Sequence, residues 1–144
     1  MNGESGTEAW THFPHRGDVG VRGYGQDMDE AFENAARAMS AVVAPLELIR
    51  VERVIPVTCR AADPSILLLD WLNAIIYTMA TEGMLFHDFR VRIDGETLRG
   101  EMEGEKVDRE RHEPSVELKG ATLTELAVEQ QPDGRWCAQC VVDV

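Results

Sequence analysis

The segment SILLLDWLNAIIYTM, residues 65–79, is apolar nearly all round. A helix with that pattern has no face to offer water and has to be buried by other elements. Its ends are marked. Asp63-Pro64 supplies a cap followed by proline in the first turn, and Gly83 is a stop. The reading predicts one central buried helix, around which the rest of the chain is organised. At 15 residues the run is shorter than the roughly 18 that a membrane span requires.

Working outward, a second helix precedes it. Asp27 caps this helix with Glu30 three residues on. Met28, Ala31, Phe32, Ala35, Met39 and Val42 keep helical spacing, and Pro45 ends it. A short strand over 19–24 comes before, with Val19 and Val21 on one face. Between the helices, Leu48 to Cys59 reads as a strand in which Ile49, Val51, Ile55, Val57 and Cys59 share a face. Pro56 within it indicates an edge or a bulge. After the buried helix, Phe89, Val91 and Ile93 alternate, Asp94-Gly95 signals a two-residue turn, and Leu98, Gly100 and Met102 return. Residues 105–117 read as a charged connector. A last hairpin runs from ATLTELAVEQ through PDG to RWCAQCVVDV. The expected fold class is α+β, two helices packed against a mostly antiparallel β-sheet. The chain reads as one domain, 1–144, with residues 1–8 as a polar tail.

Composition sets limits on function. The 144 residues carry a formal net charge of −12. Direct nucleic-acid binding needs a basic face and is not expected. Hard-cation binding and docking on a basic partner are compatible with that charge. The beginning of the chain, MNGESGTEAW, has neither the basic nor the apolar region of a secretory signal, so the expected compartment is the cytoplasm. No membrane association is expected. Cys59 reads as a small core residue. Cys137 and Cys140 sit three apart in a strand, where they face opposite sides, so neither zinc nor redox chemistry is expected of them.

The chemistry that remains lies in carboxylates. Asp18 sits at the mouth of a strand, in FPHRGDVGVRGYG, residues 13–25. It could serve as an Asx-turn residue or as a metal ligand whose glycine neighbours let a cation come close. Asp143 ends an otherwise apolar strand, and with Val144 it collects several oxygens in one place. Oxygen ligands suit calcium, magnesium or manganese. His15 precedes Asp18 by three residues. His112 and Glu113 form a polar turn before a strand, and Lys119 is a lone basic residue near a strand. His12 and His87 have no evident companions. No phosphate-loop, nucleophile-elbow or H-E-x-x-H motif occurs.

Seven segments taken in order resemble the archease family: HRGDVGVRGYG with EAFENAARAM, LLDWLNAIIY, TEGMLFHDF, GEKVDRERHEP, ELKGATLTELAV and WCAQCVVDV. Together they span residues 12–144. The resemblance implies a small α+β domain that is not itself an enzyme. It implies an accessory factor for the RtcB-type RNA-splicing ligase, which depends on GTP and manganese, promoting that ligase's guanylylation and multiple turnover. Asp18 matches the aspartate of the family's H-T-A-D-[IV]-G stretch, with Arg16-Gly17 in place of Thr-Ala. Asp143 and Val144 match the family's terminal pair, which holds a divalent cation. His112, Glu113 and Lys119 match its H-E-P and K-[AG]-[AIV]-T pieces, and with His15 they are expected as partner or supporting residues. The alternative reading is a chaperone-like protein-binding module in which the cation only pins the strand end.

Overall fold

The computed structural model describes residues 8–144. The tail expected over residues 1–8 falls outside them, apart from Glu8, which is exposed. The chain opens with a hairpin, β1 (Trp10–His15) and β2 (Asp18–Gly25), followed by α1 (Met28–Val43) and a 3-10 turn at Leu46–Leu48. Next come β3 (Arg53–Arg60), α2 (Pro64–Glu82), β4 (Met84–Asp94), β5 (Thr97–Lys106) and the short α3 (Arg109–His112). β6 (Gly120–Ala121), β7 (Ala127–Gln130) and β8 (Trp136–Asp143) complete it. The described strands form two antiparallel sheets. One has the order β1-β2-β8-β6 with β7 also paired to β8, and the other is β3-β5-β4. A single core joins both sheets and both long helices. The α+β reading therefore holds.

The more completely buried helix is α1. Ala31, Phe32, Ala35, Ala36, Ala38, Met39 and Ser40 are fully buried along it, whereas Tyr77 of α2 is 69% exposed and Ile66 is also exposed. The expectation that α2 is the central helix is corrected, and the reason is local. Gly23 of β2 lies so close under α1 that a Cβ there would stand 2.0 Å from the Ala35 nitrogen and 2.3 Å from the Ala31 oxygen. Glycine on the strand and alanine on the helix bring the two backbones together. The glycines after Asp18 serve this contact and the Phe13 ring, which covers Gly20.

The polar side of α1 is equally committed. Sheet β3-β5-β4 leaves one edge of β4 without a strand, and α1 supplies partners to it. Asp29 Oδ1 accepts from the Ile93 N–H (3.1 Å), and Glu33 Oε2 accepts from the Val91 N–H (2.9 Å). Ser40 Oγ donates to the Phe86 carbonyl, and Arg37 donates to Asp88. Burial pushes the carboxyls of Asp29 and Glu33 above their ordinary range. Side chains one helical turn apart thus do the work of a neighbouring strand.

Other elements differ from the expected ones in instructive ways. β1 was not foreseen. The strand expected from Leu48 begins at Arg53; Ile49 is buried and Val51 exposed just after the 3-10 turn, so they do not share a strand face. Pro56 does lie on an edge strand. The Ala61 N–H bonds the Glu96 carbonyl (3.0 Å), and counting back in that register aims position 56 at the open side, where a missing N–H costs nothing. The β4–β5 loop is Gly95-Glu96, since Asp94 pairs with Thr97. The expected strand 121–130 is split into β6 and β7 around Glu125, whose φ is +55°. Gly83 ends α2 in the left-handed region, as read.

Replacing Glu33 separates its bond from its charge. Glu33→Ala leaves the Val91 N–H without a partner and is expected to cost about 1–3 kcal/mol in urea melts. Glu33→Gln keeps an accepting oxygen without the buried charge and should remain close to the parent.

Candidate functional site

The β1–β2 hairpin turns on two residues. Arg16 and Gly17 have φ of +48° and +88°, the φ pattern of a type I′ turn, in which glycine is favoured. His15 is thereby paired with Asp18. β2 then pairs with β8, ending at Val19 opposite Val142. One further step of the same register sets Asp18 across from Asp143, and on the far side of β8 Asp143 pairs with Gly120. Directly opposed residues share a face. His15, Asp18, Asp143 and Gly120 therefore form a row across four strands, on the side of the sheet away from α1.

Backbone bonds hold the row together. The Val144 N–H donates to Asp18 Oδ1 (3.2 Å), and the Lys119 N–H donates to the Asp143 carbonyl (2.9 Å). Asp18, Asp143 and Val144 are half-buried, while Lys119 is exposed. Five of the seven residues singled out from sequence thus meet at one corner: His15, Asp18, Lys119, Asp143 and Val144. Among the described residues, no ion pair or side-chain hydrogen bond neutralises the carboxylate of Asp18 or that of Asp143. Nor do three His, Cys, Asp or Glu side chains gather closely enough to form a metal cage. The donor set is two carboxylates with backbone oxygens, which fits a hard cation that keeps part of its water and does not fit zinc.

His112 and Glu113 are elsewhere, in and just after α3. His112 is fully buried. Its Nδ1 accepts from the Asp108 N–H (2.8 Å), so the ring hydrogen is on Nε2, which donates to Glu105 Oε2 (2.9 Å). Glu105 also accepts from Arg111 Nη2 (2.7 Å) and from the Arg50 N–H (2.7 Å). The Arg111 guanidinium, with the Arg50 and His112 bonds, overcomes burial and holds the Glu105 carboxyl down at about 2. This cluster clasps α3 onto β5 and the segment after α1. Glu113 is exposed, with a left-handed backbone that closes α3. No sequence pattern flagged Glu105, because within 105–117 it reads as one charge among many.

The remaining sequence candidates lie outside the row. His12 Nε2 lies 2.7 Å from the Ala38 carbonyl. His87 sits where the β4–β5 register shifts between Phe86 and Asp88. Cys137 and Cys140 are free and buried on opposite faces, and burial pushes the Cys140 thiol up to about 11, which makes it a poor nucleophile at neutral pH.

Comparison with known proteins agrees with this architecture. Residues 10–144 match the Archease protein family. The chain belongs to the archease family. It is 40% identical to protein archease of Pyrococcus furiosus over 139 residues, covering 94% of this chain and 98% of that one. It is 32% identical to protein archease of Methanopyrus kandleri over 139 residues, covering 94% and 99%. The solution structure of Methanobacterium thermoautotrophicum protein 1598 superposes with a TM-score of 0.83 at 32% identity, covering 94% of this chain and 99% of that one. A crystal structure from Thermotoga maritima, titled an archease and possible chaperone, shares the fold with a TM-score of 0.60 at 17% identity, covering 92% and 94%. No described helix is long and apolar enough to cross a membrane.

The Glu105 cluster makes a pH prediction. A carboxyl held below its ordinary value contributes stability that is complete above the unfolded pKa, near 4.5, and is lost as pH falls toward about 2. Glu105→Gln should be less stable than the parent at neutral pH. The gap in urea midpoint should narrow between pH 4.5 and about 2.

Proposed function

We propose that this archease activates an RtcB-type RNA ligase, promoting its guanylylation and repeated turnover, and that it acts through a divalent cation held at the Asp18–Asp143 corner. The observation that carries this reading is the cross-strand row. It sets two carboxylates side by side at one end of a sheet with no cationic side chain bonded to either. Like charges so placed destabilise each other, and a calcium, magnesium or manganese ion relieves the repulsion. Asp18 has one oxygen bound by the Val144 N–H and the other free for a ligand. Asp143 contributes its carboxylate, and the Val144 backbone oxygen is in reach at the strand end. When bound, the ion adds positive charge to an otherwise acidic tip. That tip is suited to present metal to, or arrange it in, a nucleotide- and manganese-binding pocket of a partner.

The protein's own residues do no bond-making in this scheme. His15 at the end of the row and Lys119 beside it are suited to contact the partner or its phosphate groups. The net charge of −12 favours a protein partner over an RNA chain. His112 and Glu113 support α3, away from the row.

The test is ligase guanylylation in limiting manganese, with and without this protein. Asp18→Asn and Asp143→Asn are each expected to abolish the stimulation at substoichiometric amounts while leaving the melting temperature in chelator within a few degrees of the parent. Normal stimulation by either variant overturns the metal reading. Improved ligase solubility with no change in the guanylylation rate would assign the protein to the chaperone-like alternative.

A further inference from the structure

The row of carboxylates is flanked on its inner side by the weakest strand in the fold. β6 has only two residues, paired with β8 through Gly120–Asp143 and Ala121–Val142. A pair that short does not hold a strand in place unaided, and no described strand lies on its other side. A side chain takes that place. Asn73, half-way along α2, donates from Nδ2 to the Ala121 carbonyl (3.2 Å) and accepts at Oδ1 from the Ala121 N–H (2.9 Å). A primary amide carries N–H donors beside an acceptor oxygen on one edge, so Asn73 satisfies both backbone groups of Ala121 as a neighbouring strand would.

The effect reaches the corner through short links. Ala121 is one residue from Gly120, which pairs with Asp143, and two from Lys119, whose N–H binds the Asp143 carbonyl. Asp143 is followed by Val144, whose N–H binds Asp18. Further along, Thr122 closes on the Val141 carbonyl through its N–H (3.0 Å) and its hydroxyl (2.8 Å). Apart from Asn73, every one of these bonds lies within the sheet or its adjoining chain. Asn73 is the tie that runs from a long helix anchored in the core by Trp71 and Leu72, both fully buried.

We infer that Asn73 is a positioning residue for the Asp18–Asp143 corner: by pairing with Ala121 it fixes β6 against β8 and so sets the oxygens that receive the cation. This rests on the cation reading proposed above. Asparagine is required here because aspartate cannot donate to the Ala121 carbonyl, and alanine can do neither.

Two measurements test it on the full chain. The first is calcium titration by calorimetry. Residues that hold ligands in place without touching the metal typically change affinity by about 10–100-fold when lost. Asn73→Ala is expected to weaken calcium at least tenfold and Asn73→Asp by less. Leu72→Ala, on the same helix and more destabilising, should leave the affinity within twofold. The second is amide hydrogen exchange without metal, where Asn73→Ala should lose protection at Lys119, Ala121 and Val144 while the α1 amides keep theirs. Unchanged calcium affinity in Asn73→Ala overturns the inference, as does equal weakening in Leu72→Ala, which would mark a general effect of stability. If the parent protein binds no calcium, magnesium or manganese, the cation reading falls. Unchanged protection at Lys119 and Val144 would then dismiss the positioning role on its own evidence.

Discussion

The two-sided docking of α1 is the constraint on which the rest of the structure depends. On one side its alanines lie against the bare backbone of β2 at Gly23, at a separation that excludes even a methyl group. On the other side Asp29, Glu33 and Ser40 bond the open edge of β4. The helix therefore fixes the distance and orientation between two sheets that share no strand. Because interiors are close-packed, a shift at either contact propagates to both. β2 is the strand that α1 grips most closely, and Asp18 is its first residue.

From that grip the corner follows by counting. Side chains alternate along a strand, so a slip of one residue would move every side chain to the opposite face. Val21, Ala138, Cys140 and Val142 are fully buried on the inner face, which fixes the β2–β8 register. The two-residue turn fixes the β1–β2 register in the same way. With both registers fixed by core packing and turn geometry, His15, Asp18 and Asp143 have no choice but to line up. The position of the carboxylates is thus a consequence of apolar burial a few residues further along the same strands.

Much of this was legible in the sequence. Caps at Asp27 and Asp63, the stop at Gly83, the edge proline and the β4–β5 hairpin are local signals, and the structure contains them all. Asp18 and Asp143 were also singled out there, though through family resemblance more than through periodicity. What escaped the reading was not local. α1 carries Asp29, Glu33 and Arg37, which look like a solvated face. They bond a strand edge that is more than fifty residues away in sequence, and hydrophobic spacing says nothing about such a bond. α2 looked more buried because all its sides are apolar, yet Tyr77 faces solvent. Composition records what a side chain is and leaves open what covers it. His112 was grouped with the site through the family's H-E-P piece, while its partner, Glu105, sits at the end of a strand assigned to the connector.

The two acidic clusters of the molecule have opposite physical characters. Glu105 is nearly inaccessible and has every oxygen occupied, by a guanidinium, an imidazole and a backbone N–H. A buried charge so completely paired stabilises one conformation and has nothing left to offer a ligand. Asp18 and Asp143 stand at a half-buried sheet end with a single backbone N–H between their two carboxylates. A fold that satisfies Glu105 three times over has the means to neutralise a carboxylate pair. Lys119 stands beside Asp143, bonded to it through its backbone and not through its ammonium group. In the proposed reading, it is this unpaired charge that would receive a cation. The registers of the surrounding strands hold the two residues opposite each other.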